Sequence, residues 1–175
     1  MSTATQAVRP AELTARVAVY PSETIKPVPP FVFSVPDGWV LDEGPDALVV
    51  VHTPTEEDGF WVNLMVSHDR VARAIDHKAA AQATWARLVS NSPEAKVTME
   101  RMVRFDERVT YLRAVELSSP KSGRALAQLH ALFFAPTADD AKTQDFFQLI
   151  GTCPADQAER WGKDFLEVIG SFRFS

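Results

Sequence analysis

The sequence is poor in the residues from which most recognisable catalytic and binding motifs are built. Its 175 residues include one cysteine, Cys153, which cannot form an intramolecular disulfide and so fits a reducing compartment. The 7 glycines are dispersed at turns, and neither a G-x-G-x-x-G nor a G-x-x-x-x-G-K-[ST] pattern occurs. We therefore expect no disulfide framework, no glycine loop that cradles phosphate and no bound cofactor.

Long apolar runs are also missing. Nowhere do about 18 apolar residues follow one another, as a membrane-spanning helix requires. The opening stretch MSTATQAVRPAELTARVAVYP contains no apolar segment of the kind that a secretory signal needs. The sequence therefore predicts a soluble, cytoplasmic protein that does not insert into a membrane.

Net charge, histidine spacing and the pattern of acidic residues argue against nucleic acid, anionic membranes and metal ions as ligands. The formal net charge of -5 disfavours a general affinity for nucleic acid or anionic membranes, because both polyanions repel an acidic protein. The four histidines, His52, His68, His77 and His130, are scattered without an H-x-x-x-H spacing or a cysteine neighbour, so no metal site is expected. The acidic stretch TEEDG likewise lacks the spaced ligands of a calcium loop.

The chain length fits one domain preceded by an arm. Residues 1–30 contain five prolines and few aromatic residues, which predicts an extended arm with at most one short strand in ARVAVY. From residue 31 to residue 175, strand and helix signals follow one another without a repeat or a low-complexity segment. We predict a single α+β domain over 31–175.

Strands account for most of this domain. Seven segments alternate apolar and polar residues, or form short apolar runs bounded by turn residues. They are FVFSV, ALVVVH, GFWVNLMVSH, KVTMERMVRF, RVTYLRAVELSS, GRALAQLHALFFAP and DFFQLIGTC. Because short turns join most of these segments, we predict an antiparallel sheet of six or seven strands.

Two helices complete the predicted architecture. The first extends from about Arg70 to Val89 and ends at Ser92 and Pro93. Its small apolar residues fall on one side of a helix: Val71, Ile75, Ala79, Ala86 and Val89. The second follows Pro154, and its apolar residues recur at spacings of three and four: Ala158, Trp161, Phe165 and Val168. That regular stripe is typical of a helix packed along a sheet.

The order of these elements and three local patterns resemble the PsbP-like superfamily, and within it the bacterial LpqN-type proteins. The patterns are the opening FVFSVPDGW, the strand GFWVNLMVS and the ending WGKDFLEVIGSFRF, so the resemblance covers roughly residues 30–174. The resemblance implies an antiparallel sheet with two helices. Members of the superfamily include photosystem subunits, a Ran-binding protein, secretion chaperones and surface lipoproteins, so it also implies a role in binding macromolecules without catalysis. The opening residues resemble neither the signal sequence nor the lipid-carrying cysteine segment of the lipoprotein members, so a cell-surface role is not expected.

One face of the predicted sheet offers a candidate binding surface. Several side chains alternate out of phase with the apolar core positions of their strands: Trp61, Asn63, Met65, Gln128, His130 and Gln148. A large aromatic residue and a methionine among hydrogen-bonding groups are typical of a binding groove or a homodimer surface. Alternatively, the terminal helix or the arm covers this face, and Trp61 is an ordinary buried residue.

Acidic residues form a second candidate site. From Pro27 to Asp69 there is no lysine or arginine, whereas eight carboxylates occur, most of them in turns. Six of these are the candidates for an acidic patch: Asp42, Glu43, Asp46, Glu56, Glu57 and Asp58. If these turns meet at one end of the sheet, they form an acidic patch that could steer a basic partner. Otherwise they are solvated loops that aid solubility.

The function predicted from the sequence is a non-enzymatic protein-binding, scaffolding or chaperone-like module with an unidentified protein partner; a homodimer is also compatible with the open sheet face. The alternative is a small-molecule-binding protein or an enzyme with a pocket between sheet and helix, using His130, Tyr111, Arg113 and Cys153. Cys153 precedes a helix whose dipole would lower the pKa of its thiol, but a buried strand-end cysteine is the preferred interpretation.

Overall fold

A computed structural model describes residues 20–22 and 24–175 of the chain. Most of the predicted arm, including all of the predicted strand ARVAVY except Tyr20, lies outside the described residues. Residues that follow Lys26 lie against the domain, since Arg70 donates hydrogen bonds to the backbone oxygens of Lys26 and Pro27 at 2.9 and 3.1 Å. The side chain of Val28 packs against the main core.

The domain consists of a seven-stranded antiparallel sheet, a two-stranded sheet and two helices, which confirms the predicted α+β class. The strands of the large sheet are β2 (Val40–Asp42), β3 (Val49–His52), β4 (Asn63–Ala72), β5 (Lys96–Phe105), β6 (Arg108–Ser118), β7 (Ala125–Phe134) and β8 (Thr143–Pro154). The small sheet pairs β1 (Phe31–Val32) with β9 (Arg173–Phe174). The helices are α1 (His77–Asn91) and α2 (Ala158–Ser171), the latter preceded by a short 3-10 turn, Ala155–Gln157.

The spatial order of the large sheet is β2-β3-β4-β8-β7-β6-β5. Tight turns set the hairpins: Asp58 and Gly59 both have positive φ, at 52° and 76°, in the hairpin that joins Glu57 to Phe60. The alternation of side chains then gives the sheet two faces. One, the α2 face, packs against α2; the other, the α1 face, packs against α1.

The first helix begins later than the sequence predicts. Val71 belongs to β4, which continues to Ala72 because residues 70–72 pair with residues 143–145 of β8. The helix begins at His77, where the Asp76 carboxylate accepts a hydrogen bond from the Ala79 backbone N–H at 2.8 Å. Its side chains that pack on the sheet are consequently Ala80, Ala81, Trp85 and Leu88, and the stripe predicted through Ala79, Ala86 and Val89 is wrong.

The main core lies between α2 and the sheet. Val62, Leu64 and Val66 of the predicted apolar face are fully buried there, together with Phe133 and Phe147 of β7 and β8. The rings of this core contact one another closely; for example, the Phe133 and Phe172 centroids are 5.1 Å apart in an edge-to-face arrangement. Trp39 completes one side of the core, edge-on to Trp161 and Phe165. The sequence stripe through Trp161, Phe165 and Val168 thus lies where it was predicted.

Phe165 of α2 packs directly against Gly151 of β8. A Cβ atom added at Gly151 would lie 2.5 to 2.7 Å from three atoms of the Phe165 ring. Any larger residue at position 151 would therefore push α2 away from β8 or force Phe165 out of its rotamer.

We predict that Gly151→Ala lowers the free energy of unfolding by about 1–3 kcal/mol, because the overpacked Phe165 ring must move. Gly162→Ala is the matched control, since a Cβ at Gly162 meets nothing within 4 Å inside α2. It should raise stability by roughly 0.5–1 kcal/mol through helix propensity. Urea unfolding of both variants measures the difference, and equal stability of Gly151→Ala and wild type would contradict the packing described here.

Candidate functional site

A cleft of about 720 Å³ opens on the α1 face of the large sheet. Helix α1 lies mainly over β6 and β7 and reaches only Val71 of β4 and Phe146 of β8, so it leaves most of β4 and β8 uncovered on this side. The floor is made of residues from three strands. β8 contributes Gln148 and Ile150, β7 contributes Gln128 and His130, and β4 contributes Met65 and Ser67, with His68 and Asp69 further along the same strand. The floor is therefore an open, mixed polar and apolar surface.

Two walls border this floor. One is the exposed side of α1, which contributes Thr84, Arg87 and Asn91 beside the apolar Leu88. The other is the loop between β2 and β3, with Asp46 and Leu48, held to the sheet by a hydrogen bond from the Leu48 N–H to the Val66 oxygen at 2.7 Å. Of these wall residues only Asp46 was predicted, as part of the acidic candidate site. A correctly placed α1 would have indicated the first set, because residues 84, 87, 88 and 91 share one helical face.

Four of the six predicted binding-surface residues line the cleft: Met65, Gln128, His130 and Gln148. The other two are on the same face but lie outside the cleft: Asn63 is the first residue of β4, and Trp61 precedes the strand. Trp61 is 42% exposed and packs edge-on against His52, and the Asn63 amide donates to the Trp61 backbone oxygen at 2.8 Å. Within the described part of the chain it is α1, not the terminal helix, that covers part of this face, and Trp61 is not a buried residue.

Hydrogen bonds fix the polar side chains at one end of the floor. The Gln128 amide donates to the Thr152 hydroxyl at 3.2 Å, so its carbonyl oxygen accepts from His130 Nε2 at 2.8 Å. His130 is only 4% exposed, and its Nδ1 has no hydrogen-bond partner among the described residues. Burial, together with the positive charge of Arg113, lowers the pKa of His130 to about 4, so its imidazole is neutral near pH 7.

Arg113 lies behind His130 and has a structural role. It is 3% exposed, and its Nε donates to Glu100 at 2.9 Å while its Nη2 donates to the Ala81 backbone oxygen at 2.9 Å. Its guanidinium also lies about 5 Å from the ring centroid of Trp85. Arg113 therefore joins β5, β6 and α1, and a ligand in the cleft does not reach it.

The predicted enzymatic constellation does not assemble. Tyr111, Arg113 and His130 lie on the α1 face, whereas Cys153 lies on the α2 face, where it is buried in the main core. Burial, and secondarily the charge of Asp156, raises the pKa of the Cys153 thiol to about 11, opposite to the effect of a helix dipole. Cys153 is thus the buried strand-end residue preferred from the sequence, and the four side chains share no pocket.

The six acidic residues do not form one patch. Because consecutive hairpins leave a strand at opposite ends, the β2–β3 loop with Asp42, Glu43 and Asp46 lies at one end of β3 and the β3–β4 loop at the other. In the second loop, which also contains Glu56, Glu57 is 3.4 Å from Arg160 and Asp58 is 3.9 Å from Arg124. The condition for a single acidic patch, clustering at one end of the sheet, is therefore not met.

Within residues 20–22 and 24–175, no three side chains among histidine, cysteine, aspartate and glutamate are placed to hold a metal ion. Over the same residues, neither helix has the length and apolar character needed to cross a bilayer.

The buried His130 predicts a specific loss of stability in acid. Its pKa is about 4 in the folded protein and about 6.5 in an unfolded chain, so the unfolded state binds more protons between these values. Lowering the pH from about 7 to about 5 should therefore cost about 2 kcal/mol of unfolding free energy from this residue. Urea unfolding at both pH values should show a smaller loss for His130→Gln than for wild type. Identical losses would mean that His130 titrates normally.

Known proteins resemble this chain in fold but not in sequence. Neither a protein-family model nor a curated protein sequence matches the chain. LpqN of Mycobacterium tuberculosis, involved in cell envelope biogenesis, superposes with a TM-score of 0.67 at 13% identity, over 84% of each chain.

Two further solved structures have the same architecture. The cyanobacterial PsbP of Synechocystis sp. PCC 6803 superposes with a TM-score of 0.60 at 16% identity, over 83% of this chain and 86% of its own. The Ran-binding protein Mog1p of Saccharomyces cerevisiae gives 0.54 at 16% identity, over 82% of this chain and 89% of its own. At these identities the likeness establishes the fold alone. The chain therefore has the PsbP-like fold that LpqN, PsbP and Mog1p share.

Proposed function

We propose that this chain is a non-enzymatic protein-binding module and that the cleft on the α1 face receives a segment of the partner. The observation that carries the proposal is the composition of the floor. Met65 and Ile150 offer apolar contact beside the carboxamides of Gln128 and Gln148, which can both donate and accept hydrogen bonds. Such a mixture suits a peptide segment, whose backbone needs hydrogen-bond partners and whose side chains need apolar area.

The state of the polar groups also favours binding over catalysis. Within the described part of the cleft, His130 is neutral and donates to an amide rather than to a nucleophile or a carboxylate. Among the described residues, His68 Nε2 and Asp145 Oδ1 are 2.8 Å apart. His68 borders the cleft, but the register and the contact of its ring with Phe147 place both side chains on the α2 face. No described nucleophile therefore has a general base within hydrogen-bond reach in the cleft.

The fold is compatible with this function. A protein described as Ran-binding has the same architecture, so a sheet of this type with two helices can serve to bind another protein.

We predict that Met65→Glu weakens partner binding at least about tenfold, because a carboxylate on the floor is desolvated by whatever covers it. Leu41→Glu is the matched control: Leu41 is 60% exposed on β2, and its register with Val51 places it on the α2 face. Affinity capture from native lysate with wild type and both variants, at equal melting temperature, measures the effect.

Two outcomes of that capture are decisive. A stoichiometric protein retained by wild type and by Leu41→Glu but lost with Met65→Glu supports the cleft as the binding site. A protein retained equally by all three forms would place the contact elsewhere on the molecule. The more drastic change His130→Glu is unsuitable, because it would bury a charge and confound binding with unfolding.

The size of the cleft favours a second candidate function, the binding of a small molecule. Its volume of about 720 Å³ lies within the range of ligand pockets, roughly 300–1,000 Å³. A metabolite that binds there should raise the melting temperature of wild type by several degrees and leave Met65→Glu unchanged. A flat thermal-shift screen on wild type, beside successful capture of a protein, would exclude this candidate.

A further inference from the structure

The two edges of the large sheet differ in length. Strand β2, at one edge, has three residues, whereas β5, at the other, has ten. No described segment pairs with the outer side of β5. A long edge strand presents a row of unpaired N–H and C=O groups, which are ready to pair with another strand.

We propose that β5 pairs antiparallel with β5 of a second copy of this chain, about a two-fold axis that passes through Met102. The first reason is geometric. A bulge interrupts β5 between Val97 and Met99, and the remainder, Met99–Phe105, is a regular seven-residue run. Two such runs overlap completely only when each Met102 lies opposite the other, because Met102 is the midpoint.

The second reason is charge, and it selects the same register. A two-fold axis perpendicular to the sheet keeps the α1 faces of both copies on the same side. With the axis at Met102, Glu100 of each copy lies opposite Arg104 of the other, which gives two pairs of opposite charges. Centring the axis on Glu100 or on Arg104 instead would place two like charges opposite each other. Centring it on Arg101 would do the same. Of these registers, only the one through Met102 pairs opposite charges.

The side chains at the proposed interface are accessible or already fixed in position. Met102 is 51% exposed, and the axis would bring its flexible apolar side chain against that of the second copy. Arg113 Nε already holds Glu100 Oε1 at 2.9 Å, so the carboxylate is fixed at the edge and little freedom is lost on pairing. A hydrogen bond from Tyr111, then Arg113, lowers the pKa of Glu100, which keeps it ionised.

The interface lies away from the cleft. β6 separates β5 from β7, the nearest strand of the cleft floor, so the proposed dimer leaves both clefts open. Failure of the dimer and failure of the proposed protein-binding function are therefore distinguishable, because they concern different residues.

Cysteine cross-linking tests the register. Met102→Cys would place two thiols opposite each other at the Cα separation of neighbouring strands, about 4.5–5.5 Å, which a disulfide can span. Oxidised glutathione accepts the two electrons and two protons released as the bond forms. The control is Val97→Cys, on the same strand but roughly 30 Å from its counterpart in this register. The native Cys153 is buried and does not interfere. We expect covalent dimer from Met102→Cys at least about tenfold faster than from Val97→Cys.

Sedimentation of the full chain tests the association itself. Wild type should form dimers whose fraction rises with protein concentration. Arg104→Glu should weaken dimerisation about tenfold or more, since it places Glu100 opposite a second carboxylate in both symmetric pairs. Arg101→Glu, on the other face of the strand and opposite Val103, should change it much less. A wild type that stays monomeric, or equal cross-linking of the two cysteine variants, would overturn the proposal.

Discussion

The packing of Phe165 against Gly151 determines which face of the sheet is covered by α2. It brings α2 against the central strands β8 and β7, where the aromatic rings of the core and the short β1–β9 sheet complete the cover. The other face is then left to α1 alone. A seven-stranded sheet is about 29 Å wide, whereas a helix with its side chains is about 10–12 Å across. One helix therefore cannot cover this face, and the cleft is a consequence of the number of elements.

Strand positions and face assignments were predictable because they depend on local alternation. The predicted strand KVTMERMVRF has the same bounds as β5. The alternation of side chains along a strand correctly placed Met65, Gln128, His130 and Gln148 on one face. The extent to which each of these side chains is buried was not predictable, since it depends on which strands α1 covers. His130 is 4% exposed beside α1 and Trp61 is 42% exposed beyond it, although both were assigned to the same surface.

The misplaced start of α1 shows where local patterns fail. Val71 and Ile75 are four residues apart, a helical spacing, yet Val71 pairs with Gln144 of β8, more than seventy residues later. Only this long-range pairing decides between strand and helix. Cys153 is a related case: a helix dipole contributes roughly 0.3–1 kcal/mol, whereas a thiol pKa raised from 9.0 to about 11 corresponds to roughly 2 to 3 kcal/mol. Burial therefore outweighs the dipole.

The cleft and the β5 edge are joined by one row of neighbouring side chains on the α1 face. The register places Met65 beside Ile150, Ile150 beside His130, His130 beside Arg113 and Arg113 beside Glu100. A two-fold axis at β5 would extend this row into the second copy and place both clefts on the same side of one continuous sheet. A partner with two binding segments could then occupy both clefts, and the second contact would form at the high effective concentration that linkage provides. In this arrangement the edge strand sets the spacing of the clefts, while the floor residues set what they bind.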